Sequence, residues 1–180
     1  MKVISGIYKG RKLDGFDIEG TRPTMDRLKE SLFATIQNYI KDSIVLDLFS
    51  GSGNLGIEAL SEGAKYAYLV DKNIKCIRVI NKNINNLKIS NVKILNLDYK
   101  KALYFIEEKL DLIFLDPPYK TDYIEEAIKL ITKLDILSDK GLIICESADL
   151  NKIVYPSSLK KIKEKKYGNK YIVLLKKNIC

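Results

Sequence analysis

Histidine is absent from the 180-residue sequence. That removes imidazole metal ligands and every Ser-His or Cys-His nucleophile system. Cysteine is scarce as well. Cys76, Cys145 and Cys180 are odd in number, widely spaced and without a C-x-x-C, which argues against a disulfide framework or a zinc site and for a reducing, cytoplasmic compartment. No apolar run is long enough to span a bilayer, and "MKVISGIYKGRKL" has no signal-peptide core, so no membrane partner is expected. Arginine occurs only at 11, 22, 27 and 78. There is no internal repeat and no low-complexity linker.

The length fits one domain with a real core, with residues 1–41 as an N-terminal extension and 42–180 as the main unit. A formal charge of +8 and a pI near 9.2 suggest a polyanionic partner, nucleic acid first. Nearly all of that charge is lysine, in a chain crowded with Ile and Asn, as biased codon composition would also produce. Charge therefore supports a nucleic-acid reading without establishing it.

From residue 44 onward, short apolar runs alternate with amphipathic stretches. "IVLDLF" (44–49), "KYAYLV" (65–70), "VKILNL" (92–97), "LDLIFL" (110–115) and "LIICES" (142–147) read as strands. Ile74, Ile77, Ile80 or Ile84, and Leu87 form one helical stripe; Ile124, Ala127, Ile128 and Ile131 form another. The alternation implies right-handed crossovers and a parallel sheet covered on both faces. Two β-rich runs separated by Gly168-Asn169 then predict a terminal antiparallel hairpin. At the other end, "VISGIYKGRKLDGF" reads as a small β-hairpin. Thr24 is a plausible N-cap for a helix whose stripe is Leu28, Leu32, Ile36 and Ile40.

In such a sheet, ligands lie beyond the carboxyl ends of the strands. The first strand is followed by Gly51-x-Gly53-x-x-Gly56, glycines that permit tight turning and close backbone approach at a helix N-terminus. Asp71 follows the second strand and can accept both hydroxyl hydrogen bonds of a ribose. Asp98 follows the third, placed for an adenine amino group. In register, these favour an adenosine-containing ligand, either NAD or S-adenosylmethionine. Asp47 leans toward the second, because it can engage an ammonium group and would repel a pyrophosphate.

The fourth strand ends in Asp116-Pro117-Pro118-Tyr119. Two prolines stop the ladder and impose a stiff turn. An exocyclic amine on a nucleobase is a poor nucleophile because its lone pair is delocalised into the ring. The Asp116 carboxylate and the Pro117 carbonyl can hold its two hydrogens, and Tyr119 offers a stacking face worth about 1–3 kcal/mol. A sulfonium methyl is already activated, so alignment and charge stabilisation suffice, and no metal is needed.

Asp-Pro-Pro-Tyr resembles the motif of amino-methyltransferases, and "DLFSGSGNLGIEAL" resembles their S-adenosylmethionine loop. With "GIYKGRKL" and "RPTMDRLKESLF", the whole chain resembles the RsmD family of bacterial methyltransferases, which act on the N2 amine of a guanine in 16S ribosomal RNA. The resemblance implies a Rossmann-like class I methyltransferase fold, a seven-stranded, mostly parallel sheet with an antiparallel last strand. It implies Asp71 for the ribose, Asp98 for the adenine, and Arg22 and Thr24 at the methionine end or near the target. Asp47, Phe49, Ser50, Gly51, Gly53 and Lys72 complete the expected cofactor set, and Glu146 is an acidic position without a role.

The chain leaves little room for a separate sequence-reading domain, so shape, phosphate contacts and a flipped base in an RNA loop fit best. Lys9, Arg11 and Lys12 are candidate phosphate contacts. The expected partner is 16S rRNA in the small subunit or an assembly intermediate, with the protein a monomer. Rivals are an adenine N6, cytosine N4 or glutamine amide acceptor, a dinucleotide-dependent oxidoreductase, and a silent RNA-binding fold.

Overall fold

A computed structural model describes residues 1–16, 22–119 and 121–179, with the side chains of 22–24 outside that description. Seven strands form one sheet: β1 (Ile44–Asp47), β2 (Tyr66–Val70), β3 (Val92–Leu95), β4 (Leu110–Leu115), β5 (Leu137–Ser147), β6 (Leu159–Tyr167) and β7 (Lys170–Lys177). Their order is β3-β2-β1-β4-β5-β7-β6. β1 to β5 pair in parallel, and β7 is antiparallel to both β5 and β6. The direction of connection reverses between β1 and β4, where such sheets open a crevice.

Period-two burial sends alternate residues of each strand to opposite faces. Val45, Leu112, Phe114 and Ile144 pack with α1 (Arg22–Ile36), α2 (Asn54–Ser61) and α3 (Ile74–Leu87). Leu46, Ile113, Leu115 and Cys145 pack with α4 (Tyr99–Phe105) and α5 (Tyr123–Leu134). The central strands are apolar on both sides because helices cover both. Asp111 is the polar interruption of β4. Its carboxylate accepts the Ile44 N–H and the Ser138 hydroxyl, each at 2.8 Å, and so ties β4 to its neighbours.

Three helix predictions need adjustment. α1 begins at Arg22, so Thr24 lies inside its first turn rather than at the cap. The apolar stripe continues to Ile40, but the α-helix ends at Ile36 and a 3-10 turn (Gln37–Tyr39) completes the burial. In α3, Ile74 is exposed, and Ile77, Ile80, Ile84 and Leu87 carry the buried face.

β5 is longer than predicted, since Ser138 to Gly141 continue it through an irregularity in its pairing with β4. The predicted N-terminal hairpin reduces to one isolated antiparallel bridge, Lys2 to Lys12. The cause lies in α2. The Glu58 carboxylate accepts the Ile4 and Ser5 N–H groups at 3.0–3.1 Å, taking donors that a ladder would use. Glu58 also pairs with Lys29 of α1 at 3.1 Å. The extension, α1 and α2 therefore meet in one buried polar knot.

Candidate active site

The strand ends place the predicted loops together. A cleft of about 910 Å³ opens over the carboxyl ends of β1, β2, β3 and β4. Phe49, Gly51, Asp71, Lys72 and the Asp116–Tyr119 turn all line it. The turn after β7's partner strand, Tyr167 to Lys170, closes one side.

Gly51 (φ +57°) and Gly53 (φ +84°) adopt the left-handed backbone that favours glycine. No atom lies within 4 Å of where a side chain on Gly51 would begin, so its backbone is open to the cleft. Gly56 serves packing instead: a Cβ there would meet Leu69 at 2.1 Å, and its absence lets α2 press onto β2. Asp71 fixes the loop. One carboxylate oxygen accepts the Gly51 N–H at 3.0 Å and the other accepts the Asn73 N–H at 2.9 Å. Each oxygen keeps further acceptor capacity toward the cleft.

Three expected cofactor residues support the loop from beneath or beside it rather than forming the cleft wall. Ser50 is buried; its hydroxyl donates to the Asp47 carbonyl at 2.7 Å and accepts the Val70 N–H at 3.0 Å. Asp47 is 1% exposed and accepts the Gly56 N–H at 3.1 Å. Burial pushes its carboxyl up to about 7, against the help of that hydrogen bond. Gly53 caps α2. Asp98 caps α4 through the Lys100 N–H at 3.0 Å; its neighbours Leu97 and Tyr99, not Asp98 itself, line the cleft. Arg22 and Thr24 lie outside the described residues as far as their side chains are concerned.

An aromatic group completes the slot. Phe49 stacks on Tyr123 with ring centroids 6.0 Å apart, and Tyr99 lies 5.4 Å from Phe49 and 4.9 Å from Tyr123. Tyr99 and Tyr123 are absent from the sequence-derived set. The signal was an aromatic residue opening each helix that follows β3 and β4.

Opposite them stands the Asp116 turn. Pro118 is exposed, its carbonyl accepts the Thr121 hydroxyl at 3.0 Å, and Tyr119 is 63% exposed, turned away from the core. Burial, and next the Glu146 charge, hold the Asp116 carboxyl well above the usual carboxylate range, with Lys170 acting the other way. Lys170 meets Glu146 at 2.6 Å. Burial would lower the Lys170 ammonium, but the Glu146 charge and hydrogen bond outweigh it and raise the pKa.

Comparison with known proteins shows the family. A family model described as "Conserved hypothetical protein 95" matches residues 1–176. Ribosomal RNA small subunit methyltransferase D of Haemophilus influenzae is 35% identical over 173 residues, 93% of this chain and 89% of that one. The chain belongs to the RsmD family. A second relative of the same name, from Escherichia coli, is 36% identical over 150 residues, 82% of this chain and 74% of its own. Among solved structures, the Escherichia coli protein yhhF superposes with a TM-score of 0.88 at 32% identity, covering 98% of this chain and 97% of that one. The antiparallel β7 is the last strand that the resemblance to the RsmD family implied. Among the described residues of this RsmD chain, no helix is long and apolar enough to cross a membrane, and no cluster of acidic residues or cysteines is placed to hold a metal.

Proposed function

We propose that this protein is an S-adenosylmethionine-dependent methyltransferase acting on the exocyclic N2 amine of a guanine in 16S ribosomal RNA. The observation that carries the reading is the Asp116-Pro117-Pro118-Tyr119 turn, which walls a cleft whose far side holds an aromatic slot and a fixed carboxylate. The residues fit the cofactor. Phe49, Tyr99 and Tyr123 suit a purine ring, Asp71 suits ribose hydroxyls, and the uncovered Gly51 backbone suits close approach of the amino-acid end. When bound, that cofactor would supply a methyl group already activated on a sulfonium.

The chain's own residues do the rest. Asp116 and the Pro117 carbonyl accept the two amine hydrogens and draw the nitrogen lone pair out of conjugation with the ring. Tyr119 stacks on the base and excludes water from one face. Asp116, lining both the cleft and the adjoining cavity, is placed to take the proton that the methylated amine releases. The buried Asp47 places negative charge beneath the loop, where a ligand ammonium would offset it. We read residues 1–41 as an extension packed on a 42–180 catalytic core, and the protein as a cytoplasmic monomer whose partner is the small subunit or its assembly intermediate. The Haemophilus and Escherichia relatives are named for the ribosomal RNA of the small subunit, which supports this partner.

The test uses labelled cofactor and small subunits from cells lacking the enzyme. Nucleoside analysis is expected to show N2-methylguanosine. Methylated adenine or cytosine would overturn the acceptor. Thermal stabilisation by NAD but not by S-adenosylmethionine would overturn the cofactor.

A further inference from the structure

Beyond the Asp116 wall lies a second cavity of about 530 Å³. It shares Asp116 to Tyr119, Asn169 and Lys170 with the first cleft, and Glu146 is part of its lining. Phe114 pairs with Ile144 across β4 and β5. Two residues further along each strand come Asp116 and Glu146, so the two carboxylates stand side by side on one face of the sheet. Lys170, from the next strand over, meets Glu146 at 2.6 Å and lies 5.6 Å from the centre of the Tyr119 ring.

Glu146 is 8% exposed. A buried ion pair is weak evidence for stability, because well-packed apolar residues usually do as well or better. Its position suggests recognition instead.

We infer that Glu146 and Lys170 read the target base in the second cavity and make it selective for a guanine edge. This rests on the proposed methylation of the N2 amine. Along its pairing edge guanine presents the N2 amine, the N1–H and the O6 carbonyl: donor, donor, acceptor. Asp116, Glu146 and Lys170 stand across the strand ends as acceptor, acceptor, donor. Adenine would turn its N1 lone pair toward the Glu146 carboxylate, and cytosine would do the same with N3. A site that leaves buried polar groups unpaired rejects such a base strongly.

The test keeps the reacting amine and changes the rest of the edge. Small subunits are reconstituted with 16S rRNA carrying either guanine or 2,6-diaminopurine at the modified position. Diaminopurine retains the N2 amine but has a lone pair at N1 and an amine in place of O6. The wild-type protein is expected to favour guanine by at least about 100-fold in kcat/KM. Glu146→Gln can donate to N1 and Lys170→Gln can accept from the new amine, so each variant is expected to narrow that preference by at least about 10-fold. Cofactor-induced thermal shift reports whether each variant keeps its fold. Variants that lose activity on both bases in the same ratio would overturn the recognition role alone. A wild-type protein that leaves guanine unmethylated in unsubstituted subunits would overturn the proposed function and this inference together.

Discussion

Lys29 and Glu58 meet at 3.1 Å between α1 and α2, and Lys170 and Glu146 meet at 2.6 Å between β7 and β5. The chemistry is the same; the completion is not. Around the first pair every partner is protein. Lys29 donates to the Lys2 carbonyl and to Asn54 at 2.7 Å each, and Glu58 accepts two backbone N–H groups of the N-terminal segment. Burial lowers the Lys29 pKa despite Glu58. Around the second pair the space is shared with a second carboxylate and three cavities, of which Lys29 lines only the smallest, about 210 Å³, and the lysine pKa rises. A closed pair fastens an extension to a core. An open one still has hydrogen-bonding capacity to offer a ligand.

The contrast can be broken most forcefully at its open end. Asp116→Ala is expected to lower kcat for methyl transfer by about 10²- to 10⁴-fold, the range for removing a positioned proton acceptor. The thermal shift on adding S-adenosylmethionine should persist. Loss of that shift along with activity would make Asp116 a cofactor-binding or structural residue.

Next comes stability. Glu58→Gln strands a buried lysine and is expected to cost about 3–5 kcal/mol in urea unfolding. Glu146→Gln, beside a lysine whose side chain is 26% exposed, should cost less, about 1–3 kcal/mol. Equal losses at the two sites would erase the distinction between a fastening pair and a reading pair.

Asp47 sharpens the comparison, being a buried carboxylate that accepts a backbone N–H without a lysine of its own. Its carboxyl titrates near 7 when folded against 3.8 as a free side chain. The folded protein therefore holds this proton more tightly than the unfolded chain. The associated stability is fully present below pH 3.8 and is lost as pH rises through about 7. Asp47→Asn keeps an acceptor for Gly56 and does not titrate. Its advantage over the wild type should grow across that window and level off at no more than about 4 kcal/mol by pH 8. Melting curves that stay parallel from pH 5 to pH 8 would show that Asp47 is ionised in the folded protein across that range and that burial does not raise its pKa.

Much of the fold was legible because it depends on local pattern. Apolar runs marked the strands, and Gly168-Asn169 marked the β6–β7 turn. The antiparallel last strand followed from the family resemblance and agreed with the terminal hairpin, whereas the order β3-β2-β1-β4-β5-β7-β6 was not read from the sequence. The N-terminal hairpin was misjudged because its would-be ladder donors are taken by Glu58, more than fifty positions away in the sequence. No short window contains that competition. The site divides in the same way. Gly51, Asp71 and the Asp116 turn occupy positions that few residue types can fill, so their spacing betrays them. Tyr99 and Tyr123 join Phe49 only through the packing of α4 and α5 beside β1. Lys170 is one lysine in a lysine-rich chain until β7 sets it against Glu146.

That insertion of β7 between β5 and β6 has a consequence for synthesis. A chain emerging from its N-terminus can lay down β1 to β5 and the glycine loop as translation proceeds. The ammonium that faces Glu146 arrives with the final strand, which must slot inside an edge already laid down rather than add to the outside. A nascent chain stalled before β7 would thus carry the Gly51 loop and Asp71 and lack the lysine that faces Glu146.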